Sequence, residues 1–249
     1  MANRHTANSR PIPILVYHQI AAAPPKGSPF RSLYVAPTAF ARQMAWLNRL
    51  GYKGLSMSAL RPYLLGKRSG KVVGITFDDG YQNNLVHALP ALLKQGFSST
   101  CYAVSGLLGR TNVWDEAVGI AQTPLMDERQ IRQWAAAGQE IGSHTRRHTD
   151  LTLASEEECR TEMASGKSEI ESITGRTVSH FCFPYGRYES RHVAMADEMG
   201  FATATTTQRG RCHAGTDLLQ LPRVPVLRST SLPVFWLKIA TGYEDRRKK

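Results

Sequence analysis

The first 77 residues contain no aspartate and no glutamate. They carry eleven Lys and Arg, while the 20 basic residues that follow balance 20 acidic ones, so the net charge of +11 arises entirely from the opening third. The basic residues are dispersed and are not interleaved with aromatics, which argues against a nucleic-acid groove. No nucleic-acid partner is expected. Solubilising charge is one reading of the excess, and attraction to an anionic membrane surface or a phosphorylated substrate is the other. Long apolar runs are also missing. None approaches the ~20 residues of a membrane span, and MANRHTANSRPIP lacks the apolar segment of a secretory signal. These absences predict a cytoplasmic protein, peripheral to the inner membrane surface if it meets lipid at all. Cysteine is scarce, and Cys101, Cys159, Cys182 and Cys212 form no CxxC pair. That spacing points to reduced thiols rather than a disulfide frame or a cysteine zinc site. No repeat or linker divides the 249 residues. The expected organisation is a flexible N-terminus over 1–10, one domain over 11–242 and a basic tail over 243–249. Oligomeric state is not encoded in these patterns.

What is present alternates between two periods. Apolar runs at 11–17, 72–77, 98–104, 139–143, 178–183, 201–206 and 222–227 read as buried strands. Between them, helices are predicted at 38–50, 84–95, 127–137, from Ser155 to Gly175, at 189–199 and from Ser231. Asp127 is placed as an N-cap, and Ser155 with Glu158 as a capping box. Strands alternating with helices predict a parallel α/β sheet or barrel.

Polar residues collect where these strands end. Tyr17-His18 follows the first, Asp78-Asp79 the strand at 72–77, His144 the strand at 139–143, and Pro184-Tyr185-Gly186 the strand at 178–183. In βα-barrels, functional groups sit at the C-terminal ends of strands. Two adjacent carboxylates repel, and they persist either as a solvated turn with Gly80 or because a cation and a proton-transfer task hold them. His144 and His148, at i and i+4, share one side of a helix or meet in a tight turn. Joined to one aspartate they make a His-His-Asp set with positions left for water, the arrangement of a hydrolytic metal centre. The second aspartate is then available to take a proton.

TFDDG (76–80), HTRRH (144–148) and FPYG (183–186), in this order, resemble the motifs of the polysaccharide deacetylases of carbohydrate esterase family 4. The resemblance spans most of the chain. It implies a distorted (β/α)7 barrel in a single domain, and a hydrolase that removes acetyl groups from N-acetylated sugars with a divalent metal, zinc above all, with cobalt or nickel as substitutes. It also implies roles. Asp78 is the general base, Asp79, His144 and His148 hold the metal, and the Tyr185 backbone N–H stabilises the oxyanion. Trp114, in NVWDEA, is either a sugar-stacking face or a partly buried loop residue.

The chain departs from that pattern twice. Many members have an arginine before the Pro-Tyr, orienting the base, where this chain has Cys182. Arg223, in LPRVPV, is either its replacement or a surface residue of the last strand. A C-terminal Leu-x-His acid is also missing. ILVYHQI (14–20) instead resembles the N-terminal segment of the biofilm poly-N-acetylglucosamine deacetylases, whose order is permuted and whose early histidine takes the acid's place. By that resemblance His18 is the acid, with His213 next in line. The expected substrate is an N-acetylated glycan, free or linked to lipid or nucleotide. A cyclic imide or amide hydrolase on the same fold, and a non-catalytic sugar- or anion-binding barrel, are the alternatives.

Overall fold

The computed structural model describes residues 10–247, so nearly all of the N-terminal segment 1–10 lies outside the described residues. Ten strands and seven α-helices follow in the order β1 (Ile14–Tyr17), β2 (Gln19–Ile20), β3 (Tyr34–Val35), α1 (Pro37–Arg49), β4 (Lys53–Leu55), α2 (Met57–Leu64), β5 (Val72–Phe77), α3 (Leu89–Gln95), β6 (Thr100–Ala103), α4 (Glu128–Ala136), β7 (Glu140–Ser143), α5 (Glu156–Thr174), β8 (His180–Cys182), α6 (Ser190–Glu198), β9 (Thr203–Arg209), β10 (Leu221–Pro225) and α7 (Leu232–Ala240).

Seven of the strands close on themselves. The order β1-β10-β9-β8-β7-β6-β5 returns to β1 through the parallel pairing of Ile14–Tyr17 with Gly74–Phe77. All of these pairings are parallel. The expected distorted (β/α)7 barrel is the observed fold. Its distortion has two sources. β4 pairs with the first half of β5 (Val72–Gly74), and β6 takes over at Thr76 and Phe77, so β4 is wedged into one seam. On the other side, the register of β10 against β9 shifts between Leu221 and Arg223.

Every residue of β1, β5 and β6 is buried, which explains why these strands read as continuous apolar runs rather than alternating ones. Aromatic packing ties the barrel to its helices. Phe77 stacks on Tyr17 with centroids 5.7 Å apart and meets Trp134 of α4 edge-on at 5.7 Å. The Tyr17 hydroxyl donates to Gln43 of α1 at 2.9 Å, so a buried phenol is satisfied within the core. Asp127 caps α4 as expected, in a full capping box with Gln130.

One expectation needs correction. The residues from 243 are more than a basic tail, because Glu244 is fully buried and accepts from Arg209 Nε at 2.8 Å and from Lys238. All four cysteines are buried. Among the described residues, no helix is long and apolar enough to cross a membrane.

Candidate active site at the C-terminal mouth of the barrel

The ends of β5, β7 and β8 and the middle of β10 bring Asp78, Asp79, His144, Tyr185 and Arg223 together. Asp78 and Asp79 follow β5 directly, and both are buried. Asp79 has φ of 70° and Gly80 77°. The left-handed pair turns the chain so that the two carboxylates diverge, which answers how adjacent like charges coexist. Glycine is the residue that holds the second of these positions without strain.

Asp79 Oδ1 lies 3.4 Å from His144 Nε2 and 3.4 Å from His148 Nε2. The HTRRH segment is a turn rather than a helix. Thr145 and His148 both have positive φ, at 63° and 62°. Its shape is set from beneath by Glu162 of α5, whose buried Oε2 accepts from the backbone N–H of Arg146 (3.0 Å) and of Arg147 (2.8 Å). Gly166, one turn further along α5, lets that helix approach, since a Cβ there would stand 2.8 Å from the Thr145 carbonyl carbon. Glu162 was not anticipated. Two consecutive backbone donors folded inward need an acceptor, but sequence spacing does not say which helix supplies it.

The histidine tautomer follows from the same contacts. His144 Nδ1–H donates to the Cys182 carbonyl at 2.7 Å, which leaves the Nε2 lone pair facing Asp79. Two imidazole nitrogens and one carboxylate oxygen lie within 4.8 Å of one another and are buried. This mixed N/O donor set suits a borderline divalent ion such as zinc, cobalt or nickel. Burial opposes ionisation of Asp79, yet the two imidazoles beside it outweigh burial and hold the carboxyl well below the usual range. An anionic ligand is therefore available at neutral pH.

Asp78 faces the other way. Arg223 Nη1 donates to Asp78 Oδ1 and Nη2 to Oδ2, both at 2.7 Å. The guanidinium is fully buried, and its remaining donors reach the Thr206 carbonyl (2.8 Å), the Thr76 hydroxyl (3.1 Å) and Cys182 Sγ (3.3 Å). Arg223 is thus no surface residue. It occupies the space beside Cys182, and a bidentate fork of this kind fixes carboxylate orientation. Burial pushes the Asp78 carboxyl up, but the Arg223 charge and hydrogen bonds outweigh it, so the group stays ionised below the ordinary carboxylate range.

His18 Nε2 is 3.9 Å from Asp78 Oδ2, with its side chain partly open to solvent. His213 lies elsewhere. It pairs with Asp245 at 3.4 Å and follows Cys212, which bridges to Ile12 at the start of the β1 side of the barrel, the end opposite the aspartates. Trp114 stacks on the His148 ring (4.5 Å, 22°), and Tyr185 meets that ring edge-on (4.5 Å, 75°). One face of the Trp114 indole is therefore occupied by a ligand-set histidine. Tyr185 itself has φ of 58°, so four of the five non-glycine residues with positive φ in the described chain belong to this mouth. Strain gathered in this way is held in place by surrounding contacts. Here Arg187 supplies one, bridging from the FPYG turn to Asp150 at 2.7 Å.

Residues 65–204 match the family model described as polysaccharide deacetylase. YxkH of Bacillus subtilis is 29% identical over 217 residues, covering 86% of this chain and 71% of the relative. Among solved structures, the Streptococcus pyogenes deacetylase PplD in complex with acetate superposes with a TM-score of 0.81 at 26% identity, over 93% of this chain and 99% of that one. IcaB from Ammonifex degensii shares the fold, with a TM-score of 0.75 at 22% identity over 88% and 93% of the two chains. The barrel, the Asp-His-His group and these matches agree: the chain belongs to the polysaccharide deacetylase family and is a hydrolase acting on the carbon–nitrogen bonds of acetylated sugars.

Proposed function

We propose that this chain is a metal-dependent N-deacetylase of amino-sugar glycans. The observation that carries the reading is the division of the aspartate pair, with Asp79 turned to two imidazoles and Asp78 turned to a buried arginine. Asp79, His144 and His148 would hold the ion, and zinc fits the donor set. A divalent ion there supplies Lewis acidity, acidifying water and polarising a carbonyl oxygen. The rest falls to the chain. Asp78, kept ionised and oriented by Arg223, accepts the proton of the attacking water. The Tyr185 N–H donates to the oxygen that gains charge as the carbonyl carbon becomes tetrahedral. His18, beside Asp78, delivers a proton to the nitrogen as the C–N bond breaks, releasing acetate and a free amine. The Trp114 and Tyr185 rings at the mouth offer faces to a pyranose. Acetate release from N-acetylglucosamine oligomers, compared with ring opening of a cyclic imide, separates this reading from the amidase alternative.

The acid has its own test. An amide nitrogen departs poorly as an anion, so its protonation is part of the barrier. His18→Ala is expected to lower kcat by roughly 10²–10⁴-fold with metal content unchanged, and to remove the alkaline limb of the pH–rate profile. Near-normal kcat with that limb intact would place the acid elsewhere.

The basic opening third bears on where substrate is met. Of its residues Lys26 is exposed and Arg31 half-buried; Arg228, from outside that third, is exposed beside them, and its backbone N–H bonds to the Ser32 carbonyl at 2.8 Å, which joins the loop after β2 to the one after β10 on the catalytic face. Phe30 projects from this rim, 56% exposed. The arrangement supports contact with an anionic membrane surface, each basic residue adding about 1 kcal/mol near it. Co-sedimentation with vesicles is expected to rise with phosphatidylserine content and fall with salt. Binding that ignores lipid charge would return these residues to solubilising duty.

A further inference from the structure

β1 ends at Tyr17 and β2 begins at Gln19, so His18 is the residue at which the chain leaves the barrel. Up to Tyr17 it is laddered to β5, and from Gln19 it pairs instead with β3 in a separate two-stranded sheet. A strand that changes sheets strands its backbone polar groups, and buried ones must find partners. Here two side chains supply them. Asn84 Nδ2 donates to the His18 carbonyl at 2.9 Å, and Asn83 Oδ1 accepts from the Ile20 N–H at 2.9 Å. Asn83 Nδ2 also donates to Gln19 Oε1 at 3.1 Å. Three bonds from two adjacent residues therefore fix the segment 18–20.

Both asparagines lie in the continuation of the TFDDG motif, a few residues after Asp78. Asn84 is completely buried and opens the π-turn Asn84–Ala88. Turns of this wide kind are rare and occur often at functional sites. Among the described residues the Asn84 Oδ1 has no hydrogen-bond partner, while Nδ2 donates to the His18 carbonyl, so the donor half of the amide is what this segment uses.

We infer that Asn83 and Asn84 are positioning residues that latch the His18 segment to the Asp78 turn and so hold the imidazole at its station beside Asp78. This rests on the assignment of His18 as the acid. The base and the acid come from strands far apart in sequence, and the latch makes one rigid piece of them. The Asp78 N–H bond to the Tyr17 carbonyl, at 3.0 Å, is the last ladder contact before it takes over. Without the latch His18 stays on the chain but loses its fixed distance, and misplacement by about 1 Å costs on the order of 10²-fold in rate.

The experiment is a double-mutant cycle on the metal-loaded chain, with acetate release from N-acetylglucosamine oligomers as the assay. Asn84→Leu keeps the volume and removes the donor. It is expected to lower kcat by about 10²-fold with KM little changed. In a His18→Ala background, Asn84→Leu is expected to cost no more than twofold further, because the group it positions is gone. Asn83→Ala, at a partly exposed position, carries the same cycle if Asn84→Leu does not fold. Losses that multiply in the double variant would overturn the latch while leaving His18 as the acid. A His18→Ala enzyme with normal kcat would overturn both the acid assignment and the latch.

Discussion

Asp78→Asn is expected to abolish acetate release while leaving bound metal at the wild-type level, whereas Asp79→Ala, His144→Ala and His148→Ala are each expected to lose the metal. The asymmetry follows from where the oxygens point. Asp79 Oδ1 is 3.4 Å from both histidine Nε2 atoms, and the other two donors cannot close a site without it. Both Asp78 oxygens are taken by Arg223. Asp78, His144 and Cys182 also lie close enough to count as a donor group, but Asp78 and Cys182 Sγ both bond the Arg223 guanidinium, and a second cation there would meet direct repulsion. Asn keeps the shape of Asp78 and removes the proton acceptor. General-base catalysis is worth about 10²–10⁴-fold, so the loss should be at least that large. Metal content measured on the purified variants, beside single-turnover acetate release, decides the matter. Equal metal loss in all four variants would undo the division of roles.

The same geometry shows what a sequence can and cannot reveal. β5 could be placed to the residue, because a fully buried strand leaves an unbroken apolar run. The strand ends could be placed as well, and with them Asp78, Asp79, His144 and Tyr185. α2 was missed because Pro62 lies inside it and reads as a breaker. β2, β3 and β4, of two or three residues each, are too short for any period to show. Spacing at i and i+4 allowed a helix at His144 and His148, but the left-handed residues Thr145 and His148 make a turn. That choice is made by Glu162, on another element. Arg223 was open between surface and core because a mid-strand arginine is ordinarily solvated. Its burial depends on barrel closure, which brings β10 beside β1 and Asp78 within reach. The contacts of Asn83 and Asn84 have the same origin, since they exist only because β1 pairs with β5 across some 60 residues.

Arg223→Met is expected to lower kcat sharply and to reverse the pH dependence that Asp78 gives to stability. In the native chain the folded Asp78 pKa lies below its unfolded value. Its contribution is therefore fully present above the unfolded carboxylate pKa of ~3.9 and is lost as pH falls through the folded value. Removing Arg223 leaves burial as the dominant influence, which raises the folded pKa above the unfolded one. Protonation then relieves the buried charge, so the variant should gain stability as pH falls where the native chain loses it. Breaking one side of a buried pair costs about 3–5 kcal/mol at neutral pH. Melting temperatures across the acidic range would read the change of sign. The activity that survives should show an acid limb displaced to higher pH, because the base now holds its proton longer. Cys182 offers the complementary test. Its Sγ lies 3.3 Å from Arg223 Nη2, so an arginine entering from β8 would reach the space the lost guanidinium occupied. Adding Cys182→Arg to Arg223→Met is expected to recover part of kcat and to return the acid limb toward its native position. A double variant as slow as Arg223→Met, with the acid limb still displaced, would mean that Asp78 needs the approach from β10 and that a positive charge beside it is not enough.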